Sequence, residues 1–302
     1  MKTVAVIGAN GQLGIDLINV LKKEEIPFMP IYHRTLQNTE VSLDITDHET
    51  VRREIELRQP EAVINTAAFH KVDQCEDEIE KAFQTNSFGV RNLAEVCRDN
   101  DIKLVHLSTD YVFDGSRENP YAEEVSPNPL SVYGNSKFSG EIFIRNILKK
   151  HFIIRTAALQ GLAKSSVKGG NFVESMLKLA QDRNFVEVVD DQITTPTYTR
   201  DLAEKIVEVM KTDNYGTYHI TNSGECSWYE FAKKIFKLND MDIEVRPIDS
   251  EEAARKFKYK AKRPAYSVLD NLNLRKTGLD DLRHWEKALE AYLVERKSKN
   301  EF

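Results

Sequence analysis

A short apolar strand runs directly into a glycine turn at the start of the chain, and few folds accommodate that order. Thr3-Val-Ala-Val-Ile7 has no polar interruption, which is the pattern of a strand buried on both faces of a parallel sheet. It leads into Gly8-Ala-Asn10-Gly11-Gln12-Leu13-Gly14, after which Leu13, Leu17, Ile18 and Leu21 fall on one helix face. Glycine in such a turn supplies positive φ, close approach of backbone to a pyrophosphate, and tight helix–strand contact. The helix start adds unpaired N–H groups that suit an anion. Gly8, Asn10, Gly11, Gln12, Leu13 and Gly14 are therefore the candidate ligands of a dinucleotide. The spacing is Gly-x2-Gly-x2-Gly rather than the usual Gly-x-Gly-x2-Gly, so the meaning comes from its place between strand and helix.

The remaining chain alternates short apolar strands with amphipathic helices, which predicts an α/β protein with a doubly wound parallel sheet. Strands are expected at 28–32, 62–65, 103–107 and 152–155, with helices near 47–58, 80–100 and from Tyr133 onward. Beyond about residue 156 the regularity loosens, with helices near 171–183, 199–211, 227–238 and 284–298. Residues 1–155 are thus expected to form the dinucleotide-binding domain. Residues 156–302 would form mainly a smaller mixed α/β substrate lobe over the sheet's carboxyl edge, with some segments returning to the first domain.

Composition narrows the function classes. A chain of 302 residues with net charge −6 offers no basic face for nucleic acid. No apolar run approaches the ~20 residues of a membrane span, and the N-terminal strand is not a signal peptide. Cys75, Cys97 and Cys226 are scattered and odd in number, which fits reduced thiols in the cytoplasm rather than a disulfide or zinc site.

Ser131-Val-Tyr133-Gly-Asn-Ser-Lys137 places a tyrosine and a lysine one helical turn apart. A phenol of pKa near ~10 does acid chemistry only when positive charge stabilises its phenolate, and Lys137 at i+4 is placed to supply it. Tyr229 and Lys233 share the spacing, so context decides between the pairs; Tyr229 beside Trp228 reads as packing. The context favours Tyr133. Ser108-Thr109-Asp110-Tyr111-Val112-Phe113-Asp114-Gly115 follows a predicted strand, with hydroxyls where a substrate carbonyl could meet that phenol.

On these strings the chain resembles the dTDP-4-dehydrorhamnose reductase family of the extended short-chain dehydrogenase/reductase superfamily. The resemblance also rests on Leu43-Asp44-Ile45-Thr46, Asn65-Thr-Ala67-Ala68-Phe69, Lys71-Val-Asp73-Gln-Cys-Glu76, Asn86, Asp191-Gln192, Thr195-Pro196-Thr197 and Arg263-Pro264. It implies a Rossmann fold and NAD(P)H-dependent reduction of the 4-keto group of a nucleotide-linked 6-deoxy-hexulose, most simply dTDP-4-dehydro-L-rhamnose. In that reading Tyr133 protonates the ketone oxygen, Thr109 and Ser108 hydrogen-bond it, and Lys137 lowers the phenol's pKa and holds the cofactor ribose. Asp44 and Ile45 would flank the adenine, and Ala67 and Ala68 would let the cofactor pass closely. Asp110 and Arg263 join Ser108, Thr109 and Tyr133 as substrate-binding candidates. Asn86 would support Lys137 through water, or serve as a plain N-cap. Asp44 has the equally open reading of a loop or cap acid.

The place where an acid would select the unphosphorylated cofactor reads Tyr32-His33-Arg34. An arginine there pairs a phosphate bidentately, so NADPH is favoured, with NADH the alternative. Two departures from the family pattern stand out. Ala157-Ala158-Leu159-Gln160-Gly161 replaces a string with aromatics at the second and fourth positions, which widens the expected sugar pocket, and Lys164–Gly170 is long and basic. Asp16 occupies a position where some relatives place a magnesium-binding glutamate at a dimer contact; no metal is expected, and a homodimer is left open. The alternatives are another nucleotide-sugar reductase or epimerase, or a non-catalytic NADP-binding regulatory subunit. Asp110-Tyr111 lacks the Asp-Glu pair of a dehydratase.

Overall fold

The computed structural model describes residues 3–33, 41–162 and 170–300. Seven parallel strands form its main sheet. β1 (Val4–Ile7) is followed by α1 (Gln12–Lys23), β2 (Phe28–Tyr32), β3 (Val41–Ser42), α2 (His48–Arg58) and β4 (Ala62–Asn65). Then come α3 (Val72–Asp77), α4 (Ile79–Phe83), a π-helical turn Gln84–Phe88, α5 (Gly89–Asp99), β5 (Lys103–Thr109), α6 (Val132–Ile147) and β6 (His151–Thr156). The seventh strand, Gly216–His219, returns from the second half to pair with β6, Gly216 opposite Phe152 and His219 opposite Arg155. Across the sheet the order is Gly216–His219, β6, β5, β4, β1, β2, β3, so the winding reverses between β4 and β1. Ligands of such sheets lie outside the carboxyl ends at that reversal.

Val4, Ala5 and Val6 are fully buried. Alternate residues of the strands feed two apolar layers. Val4, Val6 and Ile64 pack with Leu13, Leu17 and Leu21 of α1 and with Leu202 and Ile206 of the helix Thr199–Met210. Ala5, Ile7 and Val63 pack on the other face with Val51, Ile55, Leu93 and Val96. A third cluster sits in the second half, around Phe231, Ile235, Trp285 and Tyr292.

The stretch expected as one helix over 80–100 is divided. Glu78 and Gln84 bound α4, and the π-helical turn precedes α5. Packing around the wide turn is close: a Cβ on Gly140 of α6 would stand 2.3 Å from the Asn86 carbonyl, and one on Gly89 would stand 2.7 Å from Ile45 Cγ1. Among the described residues no helix is long and apolar enough to cross a membrane.

Candidate active site

The glycine turn fits a dinucleotide pyrophosphate. Gly8 adopts φ 82°, and a Cβ there would lie 2.5 Å from Thr66 Oγ1. At Gly14 a Cβ would lie 2.2 Å from the Gly8 carbonyl, so glycine is what allows α1 to begin this close to β1. Gly11 caps α1 without a side-chain acceptor, which leaves the first helical N–H groups to an anion. Leu13 is 3 % exposed and packed in the core, so only its N–H is available to a ligand. Gln12 accepts the Gly161 N–H at 2.9 Å and ties the turn to the segment after β6. Asn10 is half-buried in the turn.

Other cofactor candidates fall differently. Asp44 is exposed and accepts from the Thr46 N–H at 2.9 Å and the Thr46 hydroxyl at 2.8 Å, forming a local turn ahead of α2. Ile45 is buried against Gly89, so its side chain is core. Ala67 and Ala68 follow β4 directly, beside the Gly8 turn, and the Ala67 N–H donates to Asn65 Oδ1 at 3.1 Å. Arg34, and the basic stretch 163–169, lie outside the described residues.

The catalytic candidates meet where β5 ends and α6 starts. Ser131 caps α6 by accepting the Gly134 N–H at 3.2 Å, and Glu76 of α3 accepts the Val132 N–H at 2.8 Å. These two contacts fix the helix start that carries Tyr133. Thr109 accepts the Tyr111 N–H at 3.2 Å and donates to Asp110 at 3.0 Å, and its side chain also reaches the Tyr133 phenol. Tyr111 stands edge-on to Tyr133 at 5.9 Å between ring centres. Burial pushes the Tyr133 phenol above its ordinary value, against the Thr109 hydrogen bond, with Asp110 and Cys75 adding to the rise. Asp110 is raised to about 6, chiefly by burial, against hydrogen bonds from Ser267 and Thr109.

Lys137 and Ser108 depart from the roles expected of them. The Lys137 ammonium donates to the Leu107 carbonyl at 2.6 Å and stands 3.3 Å from His106 Nε2. Burial lowers Lys137 to about 8, with Glu141 opposing. Ser108 points to the opposite side of β5 from Thr109 and donates to Glu141 at 2.5 Å, so its hydroxyl is spent inside the protein and not on a ketone. Asn86 is no N-cap: it sits within the π-helical turn, accepts the Phe69 N–H at 2.8 Å, and donates to the Phe69 carbonyl and Ser136 hydroxyl at 3.0 Å each. It therefore pins the post-β4 loop to α6.

Arg263 reaches the site from the second half. It donates to Asp73 at 2.6 Å, stacks its guanidinium 3.9 Å from the Tyr259 ring centre, and acts electrostatically on the Tyr111 phenol. The neighbouring Pro264 and Ala265 press on Gly115, where φ is 74° and a Cβ would meet Ala265 N at 2.6 Å. Asp16 is buried and accepts the Thr199 hydroxyl; burial raises its pKa. Ala158 adopts φ 44°, a left-handed conformation unusual for a residue with a Cβ.

Sequence reading missed His106 and Glu141, and gave Glu76 no role of its own. The first two were visible as polar residues alternating with Leu107 along β5 and as the i+4 neighbour of Lys137. Glu76 had no local signal, since its partner is 56 residues away.

Known proteins resemble this chain over nearly its whole length. The family model described as the RmlD substrate binding domain matches residues 1–298. The spore coat polysaccharide biosynthesis protein SpsK of Bacillus subtilis is 40 % identical over 298 residues, covering 99 % of both chains. A dTDP-4-keto-6-deoxy-D-glucose reductase of Streptomyces niveus is 40 % identical over 286 residues, covering 94 % of both. The crystal structure of dTDP-4-dehydrorhamnose reductase from Bacillus anthracis in complex with NADP superposes with TM-score 0.89 at 40 % identity, covering 98 % of this chain and 100 % of that one.

Proposed function

The chain belongs to the RmlD substrate binding domain family, and from that premise we propose that it is an NADPH-dependent reductase of the 4-keto group of a dTDP-linked 6-deoxy-hexulose, most simply dTDP-4-dehydro-L-rhamnose. The observation that carries the reading is the convergence of Thr109, Asp110 and Tyr133 at the carboxyl end of the sheet, one strand over from the loop beside the Gly8 turn. Support comes also from the named activity of the Streptomyces relative and from the NADP held by the Bacillus anthracis structure. NADH remains the alternative cofactor, and the cytoplasm is the compartment proposed, in keeping with three unpaired cysteines.

The nucleotide, held at the glycine turn, would supply a hydride for the ketone carbon. Tyr133 gives its proton to the oxygen as negative charge develops there. Thr109 keeps the Tyr111 N–H on its oxygen and orients the ketone by turning its one O–H from Asp110 to the substrate oxygen. Lys137 supplies positive charge while it is protonated, and Arg263 is the cation assigned to the diphosphate. Gly8, Gly11 and Gly14 and the first N–H groups of α1 hold the pyrophosphate, with Ala67 and Ala68 beside it. Asp44 contributes its remaining carboxylate oxygen near the adenosine.

NADPH oxidation measured with a dTDP-4-keto-6-deoxy sugar tests the reading. Tyr133→Phe is expected to lose about 10²–10⁴-fold in kcat while NADPH still binds. Wild-type protein that binds NADPH yet turns over no 4-ketosugar nucleotide would make this a binding subunit instead.

A further inference from the structure

Asn65 ends β4 beside the glycine turn, and one imidazole connects it to the helix that carries Tyr133. Asn65 Oδ1 accepts the Ala67 N–H at 3.1 Å, which fixes the amide's orientation, because turning it over would set NH₂ against N–H. The atom 3.1 Å from His106 Nδ1 is therefore Nδ2, a donor. His106 is 0 % exposed, and burial together with the Lys137 charge holds its pKa well below the ordinary value. The ring is thus neutral with one hydrogen. Since Nδ1 accepts from Asn65, that hydrogen sits on Nε2.

Nε2 faces Lys137 Nζ at 3.3 Å. An ammonium has three donors and no acceptor, so Nε2–H and NH₃⁺ oppose one another across that gap. A neutral amine has a lone pair that can accept the Nε2–H while one of its own hydrogens stays on the Leu107 carbonyl at 2.6 Å. We propose that Asn65 and His106 are positioning residues that bias Lys137 toward its neutral amine, by locking His106 in the Nε2–H tautomer with that hydrogen aimed at Nζ. The inference rests on the reading that Lys137 assists Tyr133, and goes beyond it by naming what sets the lysine's charge.

The other groups around Lys137 leave room for this control. Glu141, one turn further along α6, favours the ammonium, but its oxygens are shared among Arg155, Arg145 and Ser108. Tyr133 lies one turn before it on the same helix, and β5 presents His106 and the Leu107 carbonyl. Burial works in the same direction as His106, and Lys137 lies near 8. The lysine can then change charge close to working pH and take part in restoring the proton that Tyr133 gives up, which a fixed cation cannot do. Turnover that needs the ammonium is lost as pH rises through that value.

Nitrogen NMR of the full chain carrying ¹⁵N-histidine reads the tautomer directly, with the His106 signals identified by their loss in His106→Gln. The expected pattern is a bare Nδ1 and a hydrogen on Nε2; a hydrogen on Nδ1 would overturn the proposal. Asn65→Asp offers the second arm. A carboxylate accepts both the Ala67 N–H and an Nδ1–H, so Nε2 becomes an acceptor for the ammonium. The alkaline limb of kcat/KM should then move up by about one pH unit or more. An inverted tautomer with an unmoved limb would disprove the link to Lys137. The tautomer measurement needs no turnover, so its failure and the failure of the reductase reading are separable.

Discussion

At Asp110 a carboxyl is held 4 % exposed beside two hydroxyls and a phenol, and burial lifts its pKa from 3.8 to about 6. The folded protein therefore binds this proton more tightly than the unfolded chain does. Between pH 3.8 and 6 stability falls as pH rises, and above 6 the full cost of a buried charge is present. The shift corresponds to about 3 kcal/mol. Asp110→Asn keeps an acceptor for Thr109 and removes the charge. It should melt higher than wild type at pH 7.5, with the difference vanishing below about pH 4, while kcat falls because Thr109 is no longer held by a charged acceptor. Thermal melts of both proteins across that range check the sign, and a gap that widens toward acid would contradict it. Single residues were also where sequence reading was weakest. Ser108 and Thr109 are adjacent hydroxyls, Thr109 expected on the ketone oxygen with Ser108 as its helper, and the alternation of β5 instead sends Ser108 to Glu141 and Thr109 to Tyr133. Ile45 reads as a cofactor neighbour by motif and packs as core, because Gly89 opens a space that its side chain fills.

At the scale of elements, the period of a strand meets the period of a helix in a buried polar seam. His106 and Ser108, two apart on β5, face Lys137 and Glu141, four apart on α6. Arg155 of β6 donates to Glu141 at 2.9 and 2.7 Å, and beyond it His219 Nε2 of the returning strand accepts from Arg155 at 3.4 Å. Burial resists charge on Glu141, yet Arg155 and Arg145 hold its pKa below the ordinary carboxylate range, so the pair's contribution is lost only as pH falls below that range. Removing Glu141 leaves Arg155 charged without its carboxylate in the core, and removing Arg155 leaves Glu141 with Arg145 as its remaining cation. Glu141→Leu and Arg155→Met should each cost about 3–5 kcal/mol by urea denaturation, while the double variant should cost less than either single one. Additive losses would mean the two side chains do not act as a unit. The elements of this seam were legible, since β5 and α6 carry clear apolar periodicity and Ser131 is a plain cap signal. The π-helical turn at 84–88 was not, because the packing around it, Gly140 against the Asn86 carbonyl and Gly89 against Ile45, joins distant segments.

The whole molecule is divided less simply than a boundary at residue 155 implies. Residues 1–155 contain the glycine turn and Thr109, Tyr133 and Lys137, and look sufficient for a dinucleotide domain. Yet the last strand of the sheet is Gly-Thr-Tyr-His at 216–219, four residues with no apolar run to announce them, and the helix Thr199–Met210 buries the α1 face through Leu202, Ile206 and Met210. Tyr121 donates its N–H to the Val268 carbonyl at 2.9 Å, and Asp73 of α3 accepts from Arg263 and from the Lys260 and Ala261 N–H groups. The second half thus completes the first half's sheet, one of its apolar layers and its active-site wall. A fragment ending at Thr156 would leave the N–H and C=O groups of β6 unpaired along an edge, with Leu13, Leu17 and Leu21 of α1 stripped of part of their cover. We propose that residues 1–156 alone do not form an autonomous unit. Expressed alone, that fragment should aggregate or unfold without a cooperative transition, and adding residues 157–302 as a separate chain should restore NADPH binding. A soluble fragment that melts sharply and binds NADPH by itself would show that the sheet needs neither its returning strand nor the Thr199–Met210 helix.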